Sequence, residues 1–315
     1  NDHVMHLLMI NTAADAIRHG QDATDVWQRT MSLGFPLSHY YQHLPHISVA
    51  LIHVLTLGAL PLIDIMRWTT YLLLCLFPLS IYWSLRRFGF GQLTGAMGGL
   101  VASLAATNHF ELVFGGLDYA NYTFRGWGVY TQLWAMALLP PALALGYRVI
   151  REGQGYFWAT LFLAATLMSH LMYGYMAFIT LGAFTFMQLI GLSDPKLLAS
   201  TMWRQWKRLV ALLLLVVVVT SYFLVPFLMD PQYMNAPDGM RSVFRDSIGH
   251  SAALRSLIKG DLFDFQRFPS LTILIFAGLA ICIVRWKEER YLVPIAIFLL
   301  GLLLYFGRAT CGPLI

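Results

Sequence analysis

Three sets of side chains in this sequence have types and spacings suited to chemistry. Asp2-His3 opens the chain with a carboxylate beside an imidazole. Directly after a membrane-spanning helix, such a carboxylate is half desolvated; its pKa rises, and it can take a proton from a substrate hydroxyl. The plainer alternative is that Asp2 caps a surface helix running through His6, Met9 and Asp15. His39, His43 and His46 lie four and three apart in PLSHYYQHLPHISVALIH. Neutral imidazoles so spaced could share a metal, and protonated ones could meet a phosphate. Pro45 belongs at a helix start, which leaves His39 and His43 before the helix. Against a metal site, the favoured reading is of interfacial histidines and tyrosines anchoring a helix at headgroup level; phosphate contact stays open, and His3, His39, His43, Tyr40 and Tyr41 are the candidate site-lining residues.

The third set is cationic. Arg241 and Arg245 fall four apart, on one helical face of a polar stretch that also carries Arg255, Lys259 and Arg267. Arg125, in Phe124-Arg125-Gly126-Trp127-Gly128, has the planar fork that grips a phosphate. That basic stretch could equally hold anionic lipid heads with no further role. Glu111 and Asp118 flank Gly115-Gly116 and could hold Mg2+ or Mn2+, or stand as solvated loop charges. Cys75, Cys282 and Cys311 form no metal or disulfide pattern.

What must position these groups is a bundle of apolar helices. Of the 315 residues, 58% are hydrophobic and only 12% charged, against roughly 25% charged in a soluble globular chain. A soluble enzyme, a fibre and a disordered chain are excluded. The fold class expected is an all-α polytopic membrane protein. Spans are expected at 67–86, 93–112, 131–150, 156–171, 172–190, 209–228, 270–284 and 291–306. A chain opening at Asn1 with no initiator methionine and no signal peptide is expected to be a window of a longer protein, with one more span upstream.

Lys and Arg placement orients these spans. Arg86, Arg87, Arg148, Arg151, Lys196, Arg204, Lys207, Arg208, Arg285, Lys287 and Arg290 all fall in short loops that alternate as inner ones if the apolar stretch 45–63 does not cross. Residues 45–58 then form a helix lying at the outer face. The ten histidines all fall on the outer side or at an outer helix end, and His170 marks the outer turn of a helical hairpin. The organisation expected is a first outer loop with juxtamembrane helices at 1–66, a helical domain at 67–306 with outer loops at 109–130 and 229–269, and a further outer segment beginning at 307–315. The positive-inside bias accounts for the net charge of +5, so no nucleic-acid partner is implied.

The acidic residue at the start, the long outer loop, the Pro- and Tyr-rich stretch FPLSHYYQHLPHISVALIHVL and the SLRRFGFG turn together resemble integral-membrane glycosyltransferases of the GT-C fold. The nearest likeness is to bacterial membrane proteins labelled as related to 6-pyruvoyl-tetrahydropterin synthase, a label that implies no chemistry for a chain with eight spans. The resemblance implies transfer of a sugar from a polyprenyl phosphate or diphosphate to an extracytoplasmic acceptor, with inversion, at a prokaryotic plasma membrane. It places the base at Asp2 and a metal-site acid at Glu111 or Asp118. The paired acidic motif of the oligosaccharyltransferase branch is absent, because His3 follows Asp2, which points to a branch that works without metal. Arg125, Arg241 and Arg245 would stabilise the departing phosphate, where negative charge develops. The alternatives are a non-catalytic membrane subunit of the same fold and, third, a lipid or solute transporter.

Overall fold

Prolines and an aspartate set where several helices begin. Pro45 occupies the first turn of α3 (Leu44–Leu55), as expected from its missing N–H. Pro61 is the N-cap of α4 (Leu62–Arg87), which therefore starts ahead of the expected residue 67 and takes in residues assigned to the first outer loop. Asp194 caps α9 (Pro195–Met229), its side chain accepting from Lys196 N at 2.9 Å. The other helices are α1 (His3–Arg18), α2 (Leu37–Tyr40), α5 (Gln92–Leu104), α6 (Tyr130–Glu152), α7 (Tyr156–Ser169), α8 (Leu171–Met187), α10 (Gly249–Lys259), α11 (Ser270–Val284) and α12 (Leu292–Cys311). The computed structural model describes residues 3–29, 34–105, 130–187, 190, 194–230, 247–265 and 267–312. Among them no strand occurs, and an isolated bridge joins Gln28 and Phe35.

The chain is an all-α protein of membrane type. Four helices are long and apolar enough to cross a bilayer: α4, α6, α9, and α12 together with the short turn of helix before it. The other four expected spans also coincide with helices, α5, α7, α8 and α11. These have 13, 14, 17 and 15 residues, about 20–25 Å at 1.5 Å per residue, against a hydrocarbon layer of about 30 Å. The stretch 45–63 is split: α3 covers 12 residues, about 18 Å, too short to cross.

Packing sorts the helices into centre and rim. In α6, 61% of the apolar window is buried, against 11% in α4. The centre is filled from α6, α7, α8 and α9, with Ala142, Val149, Ala159, Leu163, Leu181, Leu212 and Val216 at its heart. Small residues let the helices approach: a Cβ at Gly146 would strike Leu181, and one at Gly99 of α5 would strike the Pro78 carbonyl of α4. A second cluster joins Ile10, Ala13 and Ala14 of α1, Val49 and Ala50 of α3, Ile65 and Met66 of α4 and Tyr130 of α6. It seats the first two long helical pieces, α1 and α3, on one end of the bundle.

The two ends differ in chemistry. At one, Arg208 donates to the carbonyls of Ile150 and Arg151, Arg151 pairs with Glu289 at 2.9 Å, and Arg290 donates to Gly89 O at 3.0 Å. The four basic turns picked out in the sequence thus meet at a single basic end. α6 spans 23 residues, so its other end lies about 34 Å away. There stand α1–α3, and there α7 and α8 turn back on each other at His170, with Gly174 pressed on Leu167. His250, on α10, reaches Thr310 at the far end of α12. The described histidines gather at or beyond this second end, as the alternation of basic loops requires.

Candidate functional site

The histidine end is built mainly from six helices, α1–α4, α6 and α9. α2 and the turn after it carry His39, Tyr40, Tyr41 and His43. These reach across to α9, whose last turns supply Tyr222 and Asp230. His39 Nε2 lies 3.2 Å from Asp230 Oδ2, and His39 Nδ1 lies 3.4 Å from Asp25 Oδ1. Tyr40 donates to the Asp230 carbonyl at 3.5 Å and stacks on Phe35. His43, the N-cap of α3, lies 3.3 Å from the Tyr222 hydroxyl and edge-on to Phe223. The first outer segment is therefore stapled to α9 at two levels, one on each of its last two turns.

Behind this staple lies an aromatic interior. His6 of α1 stacks on His46 of α3, with His6 Nδ1 2.9 Å from His46 Nε2. A 2.9 Å N···N separation requires one nitrogen to carry the hydrogen and the other to accept it. Tyr41 tilts over both rings, and its hydroxyl lies 3.2 Å from Thr131 Oγ1. Tyr130 completes the box from α6, 5.5 Å from His6 by ring centroids, with its hydroxyl 3.1 Å from Thr69 of α4. His3 meets the Tyr130 ring edge-on at 6.4 Å. At the hairpin turn, His170 packs on Tyr173, whose hydroxyl accepts from Gln132 Nε2 at 3.2 Å.

Burial decides the electrostatics. His46 is 1% exposed, and desolvation holds its pKa well below the ordinary histidine value, with the neighbouring His6 and His43 adding repulsion. Desolvation also lowers His43, against nearby backbone carbonyls and the charges of Asp22 and Asp25. Asp22 is lowered by the hydrogen bonds that it accepts from Thr24. Neutral imidazoles sit inside, and carboxylates remain at the rim.

Of the residues singled out in the sequence, the structure brings His3, Tyr41 and His43 to this end with the His6–His46 pair, and His39 with Tyr40 to its rim. The three spaced histidines do not converge on one point: His39 faces two aspartates, His43 a tyrosine and His46 another histidine. No group of three or more His, Cys, Asp or Glu side chains able to hold a metal occurs among the described residues. Asp2, Glu111, Asp118, Arg125, Arg241 and Arg245 lie outside the described residues. His6, Asp25, Tyr130, Tyr222 and Asp230 were missed as site residues. Asp25 pairs with His39 across a loop, and the partners of the other four are 40 to 191 positions away; a single sequence carries no signal for such pairings. Comparison with protein-family models, with curated proteins and with solved structures returns no match.

Proposed function

We propose that this chain is a membrane transferase of the GT-C kind, with eight spans, working on the head of a lipid-linked substrate at its histidine end. The observation that carries the reading is the segregation of side chains. Histidines, tyrosines and rim aspartates collect under α1–α3 at one end of an apolar bundle, while the paired arginines tie the other. A polyprenyl-linked sugar presents a phosphate and hydroxyls at a membrane face, so the residues that handle it must stand there too. In this reading Asp2 takes the proton from the acceptor hydroxyl as the sugar's anomeric carbon is attacked. Arg125, Arg241 and Arg245 offset the charge that builds on the leaving phosphate. His3, Tyr41 and His43 line the acceptor side.

The near-complete burial of His6, His46 and Tyr130 favours a second reading, in which this end is packed solid and the chain is a non-catalytic subunit. Membranes containing the full chain, given radiolabelled polyprenyl-phosphate sugar, separate the two. Transfer by the wild type that falls at least a hundredfold in Asp2→Asn supports the transferase. Transfer unchanged in the folded mutant removes Asp2 from the mechanism, and no transfer by the wild type leaves the subunit reading.

A further inference from the structure

The outer end of α4 carries a groove of about 370 Å³ that neither the histidine interior nor the staple to α9 uses. Asp64, Arg67, Trp68 and Tyr71 line it. α4 has 26 residues, about 39 Å, roughly 9 Å more than the hydrocarbon layer. With Arg86 and Arg87 at one boundary, its first turns stand in the opposite headgroup layer, and Asp64 and Arg67 with them. The Arg67 side chain is 74% exposed, and among the described residues its ion pair is a loose one to Asp64 at 3.7 Å. Trp68 and Tyr71 meet edge to face at 5.8 Å and are both exposed. Below them Leu72, Leu76 and Leu79 are exposed in turn, spaced four and three, so a single apolar stripe descends from the groove along one helix face.

We propose that this groove binds the phosphate-bearing head of one membrane lipid whose chain lies along Leu72, Leu76 and Leu79. The exposed guanidinium offers two parallel N–H donors to phosphate oxygens. Asp64 accepts from a hydroxyl beside that phosphate, and the two aromatic rings supply amphipathic walls at the depth where Trp and Tyr are most at ease. An aromatic belt alone needs neither the cation nor the carboxylate at the same turn. A hydroxyl-bearing phospholipid and a polyprenyl phosphate share this chemistry, and the inference holds whether or not the chain transfers sugar.

Native mass spectrometry of the full chain in detergent tests the site. Phosphatidylglycerol and a polyprenyl monophosphate are offered separately, with inorganic phosphate as competitor. One retained lipid per chain is expected, reduced at least tenfold by Arg67→Glu and clearly weakened by Arg67→Gln and Trp68→Ala. Arg87→Gln, at the other end of the same helix, should leave it unchanged. Preference for either lipid identifies the source and supports the site. Retention unaltered in Arg67→Glu and Arg67→Gln at unchanged melting temperature overturns it. So do equal loss in Arg87→Gln, displacement by inorganic phosphate alone, and failure of both lipids to bind.

Discussion

Each ring nitrogen of His39 faces a carboxylate, Asp25 on one side and Asp230 on the other. A neutral imidazole has one N–H, so it can donate to only one of the two at a time. For His43 and His46, burial disfavours the charged form. For them the sign is clear. Their folded pKa values lie below the ordinary value of about 6.5, so at acidic pH the unfolded chain binds protons that the folded one refuses, and stability falls as pH drops below about 6.5. Thermal melting of the detergent-solubilised chain from pH 8 to pH 5 should show that fall. His46→Gln should flatten it, while lowering stability at pH 8 by about 1–3 kcal/mol through loss of the contact with His6. His39→Ala should cost no more than about 1 kcal/mol, since Asp25 and Asp230 are largely solvated. Faster proteolytic cleavage near residue 29 is the more sensitive readout of that change. The sequence led to the expectation that His3, His39, Tyr40, Tyr41 and His43 share one end of the bundle, because apolar runs and basic turns order the ends of the helices, and they do share it. It could not pair them, because pairing depends on helices 40 to 191 residues apart.

At the level of elements, apolar run length and turn residues located eight apolar helices, four of them long enough to cross a bilayer; ends shifted where Pro61 or Gly307 intervened, and α9 begins at Pro195 rather than at 209. α12 carries a non-helical Gly307 at φ 53° and continues to Cys311, past the expected end at 306. Helix length was harder to read, since α5, α7, α8 and α11 are apolar throughout yet shorter than the layer that they would cross. The small-residue face Gly95, Gly98, Gly99 on α5 went unremarked. It meets Tyr82, Leu85 and the Pro78 carbonyl, so α4 and α5 pack with their backbones close. Gly99→Ala must push α5 away from a carbonyl that cannot move far. A loss of about 1–3 kcal/mol is expected, seen as a lower melting temperature in detergent, whereas Gly182→Ala, where a Cβ meets nothing, should cost under about 0.5 kcal/mol.

Across the whole molecule, two unlike ends about 34 Å apart give the chain a direction. With the native cysteines removed, single cysteines at Arg148, Lys287 and Gly89 should react with an impermeant maleimide from one side of sealed vesicles. Those at Ser247, Asp25 and Gly58 should react from the other. Labelling of Gly89 and Gly58 from the same side would show that α4 does not cross the membrane. The hairpin of α7 and α8 carries a consequence for biogenesis. Its two arms are joined through His170 alone, each is shorter than the layer, and α7 is walled in by α6 and α9. In the proposed eight-span arrangement, neither arm is released into lipid by the translocon as an independent unit. On that reading the pair waits in the insertion machinery until α9 has emerged, so a nascent chain stopped before residue 195 should remain there rather than partition into the bilayer.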